Sequence, residues 1–133
     1  MNRICFEHDD LTDELPAAGW YAGTIKSARF RHSSKGNRML QVVHQLENVS
    51  AASAHVADYF VLEGTSERGV ITARRRLVNL YRACGLIPRE GAQIRPGDLC
   101  QARLGIKVEH DEWDSQRRLR AVAYRSSDTE VSP

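Results

Sequence analysis

The sequence contains few cysteines and few aromatic residues, and it has no long apolar run. Its three cysteines, Cys5, Cys84 and Cys100, are far apart, and none belongs to the Cys-x-x-Cys pair typical of zinc or redox sites. We expect reduced thiols, with Cys84 and Cys100 as small core residues. No stretch approaches the ~20 apolar residues that span a bilayer, and the N-terminus lacks an apolar stretch followed by a cleavage site. These absences predict a soluble, intracellular protein without a membrane partner.

The length of 133 residues suits one domain and leaves no room for a second catalytic lobe. Pro16 follows a run rich in acids, and the sequence given ends in the polar stretch SSDTEVSP. We therefore predict a flexible acidic arm over residues 1–15, a folded domain over residues 16–125 and a disordered tail over residues 126–133.

Charge is distributed unevenly along the chain, although the formal net charge is only +2. Residues 1–20 carry one arginine against five acids, residues 21–89 carry eleven basic residues against four acids, and residues 90–133 carry seven against eight. A basic block of this kind is typical of a surface that binds a polyanion. A solvated surface that serves solubility would have the same composition, so charge alone leaves both interpretations open.

Period-2 patterns predict five strands. The first covers Gly19–Arg31, with Gly23 as a bend or bulge, and the second covers Arg38–Glu47. The third lies in HVADYFVLEG, where Val56, Phe60 and Leu62 alternate with Ala57, Tyr59 and Val61. The fourth lies in LCQARLGIKVE with Cys100 inward, and after a hairpin loop, HDEWDSQ, the fifth lies in RRLRAVAYR with Arg118, Arg120 and Tyr124 on one face.

A single helix is predicted between the third and fourth strands, in ITARRRLVNLYRACGLIP. Thr72 is a possible N-cap, and Gly85 followed by Pro88 provides the end of the helix. Its apolar face contains Ala73, Leu77, Leu80, Tyr81 and Cys84. Five strands with one helix in this place indicate a mainly β fold, an OB-like five-stranded Greek-key barrel, although the order also suits other small α+β barrels.

Several stretches, in this order and spacing, resemble a family of phage and prophage proteins long described only as a domain of unknown function. The likeness extends roughly from Leu15 to Tyr124, through LPAAGWYAGTIKSA, SSKGNRMLQVVHQLE, VADYFVLEG, LVNLYRACGL and GDLCQARLGIKVE. The resemblance implies an OB-type fold, binding of single-stranded DNA or a part in replication, recombination or repair, and a location in the cytoplasm of a bacterial host.

An OB barrel binds nucleic acid across its second and third strands, flanked by the loops between strands one and two and between strands four and five. The turn SSKGN would present Lys35 and Arg38, because Gly36 and Asn37 tolerate positive φ, and Arg29 and Arg31 would join them from the first strand. The other polar candidates for contact with DNA are Gln41, Arg103, Lys107, Arg118 and Arg120. A solvated hairpin whose basic residues contact only water is the plain alternative.

Binding of single strands with little sequence preference also requires aromatic rings on which bases stack. Aromatic residues make up only 7% of the chain. The candidates are Tyr59, Trp113 in the hairpin loop and Tyr124, although the acids beside Trp113 would repel phosphate. The other large aromatic residues are expected in the core, namely Trp20, Tyr21, Phe30, Phe60 and Tyr81.

Other functions have weaker support in the sequence. The carboxylates and histidines of HDD and EHDEWD lie in the arm and in a hairpin loop, so neither offers a rigid metal site, and the chain is expected to be no enzyme and to need no cofactor. The arginines at 74–76 fit the outer surface of a helix. A protein-interaction module that recruits a replication or recombination protein remains the alternative, with EHDDLTDE binding a basic partner or folding over the basic groove. The protein could also form a homo-oligomer.

Overall fold

The computed structural model describes residues 4, 15–49, 54–64, 66–113 and 115–127, with the side chains of Trp113 and Gln116 left out. Most of the predicted acidic arm and residues 128–133 of the predicted tail lie outside the described residues. The elements in chain order are β1 (Gly19–His32), β2 (Arg38–Leu46), β3 (His55–Val61), α1 (Glu67–Ala83), a short 3-10 helix (Pro96–Leu99), β4 (Arg103–Trp113) and β5 (Gln116–Ser126).

The five strands form one antiparallel sheet in the order β3-β2-β1-β4-β5. The long strand β1 pairs with β4 through its first half and with β2 through most of its length. Among the described residues the sheet is open, because no hydrogen-bonded pairing joins its two edge strands, β3 and β5. These edges nevertheless approach each other, with Cα atoms within 8 Å. The predicted mainly β fold with one helix between the third and fourth strands is confirmed.

The core lies on one face of this sheet and is covered by α1. Alternate residues of β2 and β3 are buried, as the period-2 patterns predict. The helix contributes Ala73, Leu77 and Leu80, all from its predicted apolar face. The most deeply buried side chains are Ile25, Leu40, Val42, His44, Val56, Phe60, Leu80, Leu99, Leu104, Ile106 and Val108. No helix within the described residues is long and apolar enough to cross a membrane.

The pairing of strand β1 passes from β4 to β2 around Gly23, and its register is irregular just beyond that residue. The predicted bend residue, Gly23, pairs with both neighbouring strands, and a β carbon there would lie 2.6 Å from Ile106 Cδ1. The bulge itself falls between Ile25 and Ser27. Gly23 is therefore a position of close packing, and the irregularity begins two residues later.

The helix begins earlier than the sequence predicted. Ser66 is the N-cap, and its side-chain oxygen accepts a hydrogen bond from the Gly69 amide at 3.1 Å. Thr72, the predicted cap, lies in the second turn and is exposed. The early start was hidden because Gly69 has a low helix propensity and interrupts the pattern. At the other end, Gly85 follows the C-cap with φ of 80°, as expected for a glycine that ends a helix.

The last two strands differ from their predicted bounds. Cys100 is exposed rather than buried, because β4 begins only at Arg103, after Gln101 has turned the backbone at φ of 69°. The predicted loop HDEWDSQ is mostly strand, since β4 continues to Trp113 and β5 starts at Gln116.

A bulge in the last hairpin changes which side chains face the core. Lys107 pairs with Ala123 and Val108 with Ala121, so Val122 is an extra residue in β5. Tyr124 consequently pairs with the buried Ile106 and packs against the core. The prediction that Tyr124 shares a face with Arg118 and Arg120 is wrong for this reason.

Candidate nucleic-acid interface

A row of predicted site residues crosses the solvent-facing side of β1, β2 and β3. Arg29 pairs with Gln41, and Gln41 pairs with Tyr59 on the next strand. Directly paired residues of adjacent strands project from the same face of a sheet. Arg31 lies two residues along β1 from Arg29, on the same face. We call Arg29, Arg31, Gln41 and Tyr59 the outer-face cluster.

Hydrogen bonds connect three members of the outer-face cluster. Arg31 Nη1 donates to Gln41 Oε1 at 2.9 Å, and Gln41 Nε2 donates to the Tyr59 hydroxyl at 3.3 Å. These bonds fix the glutamine amide between a cation and a phenol. Tyr59 still has 43% of its surface exposed. An exposed ring held beside cations is suited to stack on a flat, negatively charged ligand.

The exposed tyrosine also borders a cleft between the two edge strands of the sheet. The cleft has a volume of about 470 Å³. Residues of β3, including His55 and Tyr59, form one wall, and residues of β5 form the other. Among the described residues, four arginines line it, namely Arg76, Arg117, Arg118 and Arg120, together with one carboxylate, that of Asp58. We call this the arginine cleft.

At the base of the arginine cleft, Arg76 pairs with the buried Asp58. Arg76 Nη2 donates to both carboxylate oxygens at 2.9 Å, and its guanidinium lies 4.8 Å from the centre of the Phe60 ring. Burial raises the pKa of Asp58, and the attraction of Arg76 opposes that rise without cancelling it. Arg76 is thus a structural partner of Asp58 as well as a cleft residue, whereas the sequence placed all three arginines at 74–76 on the outer helix surface.

The arginines of β5 have polar or acidic neighbours. Arg118 Nη2 lies 3.7 Å from Asp111 Oδ2, and Arg120 is paired in register with Glu109. Arg117 Nη2 is 2.9 Å from His110 Nδ1. Among the described residues that line the cleft, the four arginines still outnumber the one carboxylate, and this excess of positive charge favours anions.

The predicted turn residues Lys35 and Arg38 are separated by the structure. Gly36 has φ of 82°, and the backbone of the turn closes through the bond from its amide to the Ser33 carbonyl at 2.8 Å. Lys35 is exposed in this turn, next to the strand that carries Arg29 and Arg31. Arg38, however, lies on the core side of β2, over the Phe30 ring at 4.4 Å. Arg38 therefore does not join the outer-face cluster.

Arg103 and Lys107 lie on the solvent-facing side of β4, where it pairs with the first half of β1. Arg103 Nη2 lies 2.8 Å from Glu47 Oε1, and Lys107 is paired with Trp20. Neither lines the arginine cleft. Trp20, expected in the core, is 38% exposed, with the Arg125 guanidinium 4.3 Å from its ring centre. Trp20 is the second residue of a strand whose side chains alternate between the two faces of the sheet, and this alternation was the signal that could have assigned it to the solvent-facing side.

One of the three predicted stacking residues, Tyr124, does not contribute to this surface as expected. Tyr124 lies on the core side, with its ring centre 5.8 Å from that of His44. The side chain of Trp113 lies outside the described residues. Tyr59 is left as the stacking candidate that the structure places beside several cations.

The described residues contain no group of three or more histidine, cysteine or acidic side chains that could hold a metal ion.

A scan of the chain against protein-family models found no match. A search of curated proteins also found no match.

Proposed function

We propose that this chain is an OB-like domain that binds single-stranded DNA with little sequence preference, in replication, recombination or repair of the kind that phages and prophages encode. The observation that carries the proposal is the position of Tyr59. Its exposed ring lies between the arginines of β1 and those of the arginine cleft.

The sheet supports the OB-like part of the proposal. An OB-fold is a five-stranded, partly open Greek-key barrel. An OB barrel without hydrogen-bonded pairing between β3 and β5 would have the strand order β3-β2-β1-β4-β5 that is observed here. The helix between β3 and β4 and the close approach of β3 to β5 also agree with such a barrel. The face formed by β2 and β3, where OB-folds bind oligonucleotides, is the face that carries Gln41 and Tyr59.

The chemistry of the surface supports the DNA part. Arg29 and Arg31 on one side of Tyr59, and Arg118 and Arg120 on the other, can neutralise phosphates along a strand. Stacking of one base on Tyr59 contributes ~1–3 kcal/mol and does not depend on which base it is. An unpaired strand fits this arrangement better than a duplex, whose bases are already stacked on each other.

The test is a fluorescence-anisotropy titration of a labelled dT oligonucleotide and of its duplex form at two salt concentrations. We expect tighter binding of the single strand, and an affinity that decreases as salt increases. Tyr59→Leu should weaken single-strand binding by about tenfold, which corresponds to ~1.4 kcal/mol within the range for one stacked base. Absence of binding at low salt, or equal binding of the duplex, would refute the proposal.

A matched pair of double variants separates the site from general charge. Arg29→Gln/Arg120→Gln removes one positive charge from the outer-face cluster and one from the arginine cleft, and Arg75→Gln/Arg82→Gln removes two from the exposed side of α1. The first should weaken binding and reduce the salt slope by about 1.4, since each phosphate contact with a single strand contributes about 0.7. The second should leave both nearly unchanged. Equal effects would mean that net charge, rather than this surface, attracts the DNA.

A further inference from the structure

The beginning of the described domain lies at the arginine cleft. Leu15 lines the cleft, and the carbonyl oxygen of the next residue, Pro16, lies 2.6 Å from His110 Nε2. The other ring nitrogen of His110 is 2.9 Å from Arg117 Nη2, itself a cleft residue. The chain at Leu15 and Pro16 therefore lies at the cleft, where Pro16 contacts His110 and His110 contacts Arg117.

The residues that precede this entry point are strongly acidic. The segment EHDDLTDE, residues 7–14, contains five carboxylates and no lysine or arginine. Glu14 is bonded directly to Leu15, so its Cα lies about 3.8 Å from the Cα of a residue that lines the cleft. The sequence thus joins a segment with five carboxylates directly to a cleft whose described lining has four arginines and one carboxylate.

We propose that the acidic segment of residues 7–14 binds the arginine cleft and competes there with single-stranded DNA. The carboxylates of the segment attract the arginines of the cleft. Because segment and cleft belong to one chain, the effective concentration of the segment at the cleft is in the millimolar range. The carboxylates would occupy the guanidinium groups that phosphates otherwise contact. The competition rests on the proposed function, whereas the contact between segment and cleft does not.

The first arm of the test measures the contact in the full chain without DNA. The variant Asp10→Asn/Asp13→Asn/Glu14→Gln removes three negative charges from the segment. In NMR spectra, the Nε–Hε signals of Arg117, Arg118 and Arg120 should shift between the parent and this variant, and those of Arg75 and Arg82 on α1 should not. Unchanged cleft signals would overturn the inference, whether or not the protein binds DNA.

The second arm measures competition by anisotropy with the labelled dT oligonucleotide. The segment variant should bind about three- to tenfold more tightly than the parent at low salt. The control variant Glu63→Gln/Glu90→Gln/Asp98→Asn also removes three negative charges, from exposed positions that do not line the cleft, and should change affinity by less than about twofold. Equal gains for both variants would overturn competition at the cleft. If the cleft signals shift but no protein binds DNA, the contact stands and the proposed function is wrong.

Discussion

At the scale of single residues, the core contains two buried polar side chains, those of His44 and Asp58, and burial shifts the pKa of each. His44 is completely buried on the core face of β2, and neither ring nitrogen has a hydrogen-bond partner among the described residues. Burial lowers the pKa of His44 to about 4, because a charged imidazole would lose its hydration in this environment. The folded protein therefore holds His44 neutral at pH values where the unfolded chain would bind a proton.

This difference predicts a loss of stability on acidification. The contribution of His44 is fully present above its unfolded pKa of 6.5 and is lost as the pH falls from 6.5 to about 4. The loss amounts to about 3 kcal/mol, and chemical unfolding followed at several pH values would measure it. The variant His44→Phe should lose this dependence. The raised pKa of Asp58 acts in the opposite direction at the acidic end, so the difference between parent and variant isolates the histidine. Parallel stability curves would contradict the assignment.

The buried pair of Asp58 and Arg76 makes a second prediction. Removing the arginine leaves a carboxylate that is only 7% exposed without its charged partner. We expect Arg76→Met to destabilise the protein by about 2–3 kcal/mol at neutral pH, below the upper range for buried pairs, because the arginine side chain is 35% exposed. The double variant Asp58→Asn/Arg76→Met should recover part of that loss. A single variant as stable as the parent in urea unfolding would show that the pair does not stabilise the fold.

At the scale of secondary-structure elements, the start of α1 provides a matched comparison. Ser66→Ala removes the hydroxyl that caps the Gly69 amide and should lower the free energy of unfolding by about 1 kcal/mol. Thr72→Ala, at the residue that the sequence favoured as the cap, should be neutral or stabilise by a few tenths of a kcal/mol, because alanine is a better helix former. Thermal unfolding of the two variants would measure the difference, and the reverse ranking would place the helix start at Thr72.

The close approach of β4 to Gly23 of β1 makes a prediction about packing. Gly23→Ala places a methyl group 2.6 Å from Ile106 Cδ1 and 3.2 Å from the Gln45 carbonyl oxygen. Since Ile106 is completely buried, we expect a loss of about 1–3 kcal/mol from overpacking. Ile106→Val removes the nearest clashing atom, so the double variant should be more stable than the sum of the two single changes. If the changes in free energy of unfolding of the two single variants simply added in the double variant, the contact between Gly23 and Ile106 would not restrict packing, and β1 and β4 could separate there at little cost.

The buried and exposed sides of a strand follow from its own sequence and were predictable. Bulges and ion pairs depend on a second element and were not predicted. The alternation in β2 and β3 indicated the buried sides correctly, including the outward position of Tyr59. The extra residue Val122 could not be inferred, because a bulge is defined by the register with β4. The charge at Asp58, on the buried side of a strand, was a visible signal that a cation from another element must pair with it.

At the scale of the whole molecule, many of the candidate site's arginines lie at the gap between the two edge strands, β3 and β5. The outer-face cluster and the arginine cleft share Tyr59, so this exposed residue belongs to both a set of β1 arginines and a cleft with arginines from α1 and β5. Charged side chains at a sheet edge also discourage pairing with strands of other molecules, which offers a second reason for arginines on β5. The two explanations differ in that only the first requires Tyr59 to contact a ligand.

The most direct measurement is therefore a photo-crosslinking experiment with a single strand that carries 5-iodouracil, followed by mass spectrometry of the attached peptides. The account predicts a crosslink at Tyr59 in the peptide from β3, lost when unlabelled dT oligonucleotide is added in excess. Crosslinks confined to the exposed side of α1 or to residues 85–95, or no crosslink under conditions where the strand is bound, would contradict it.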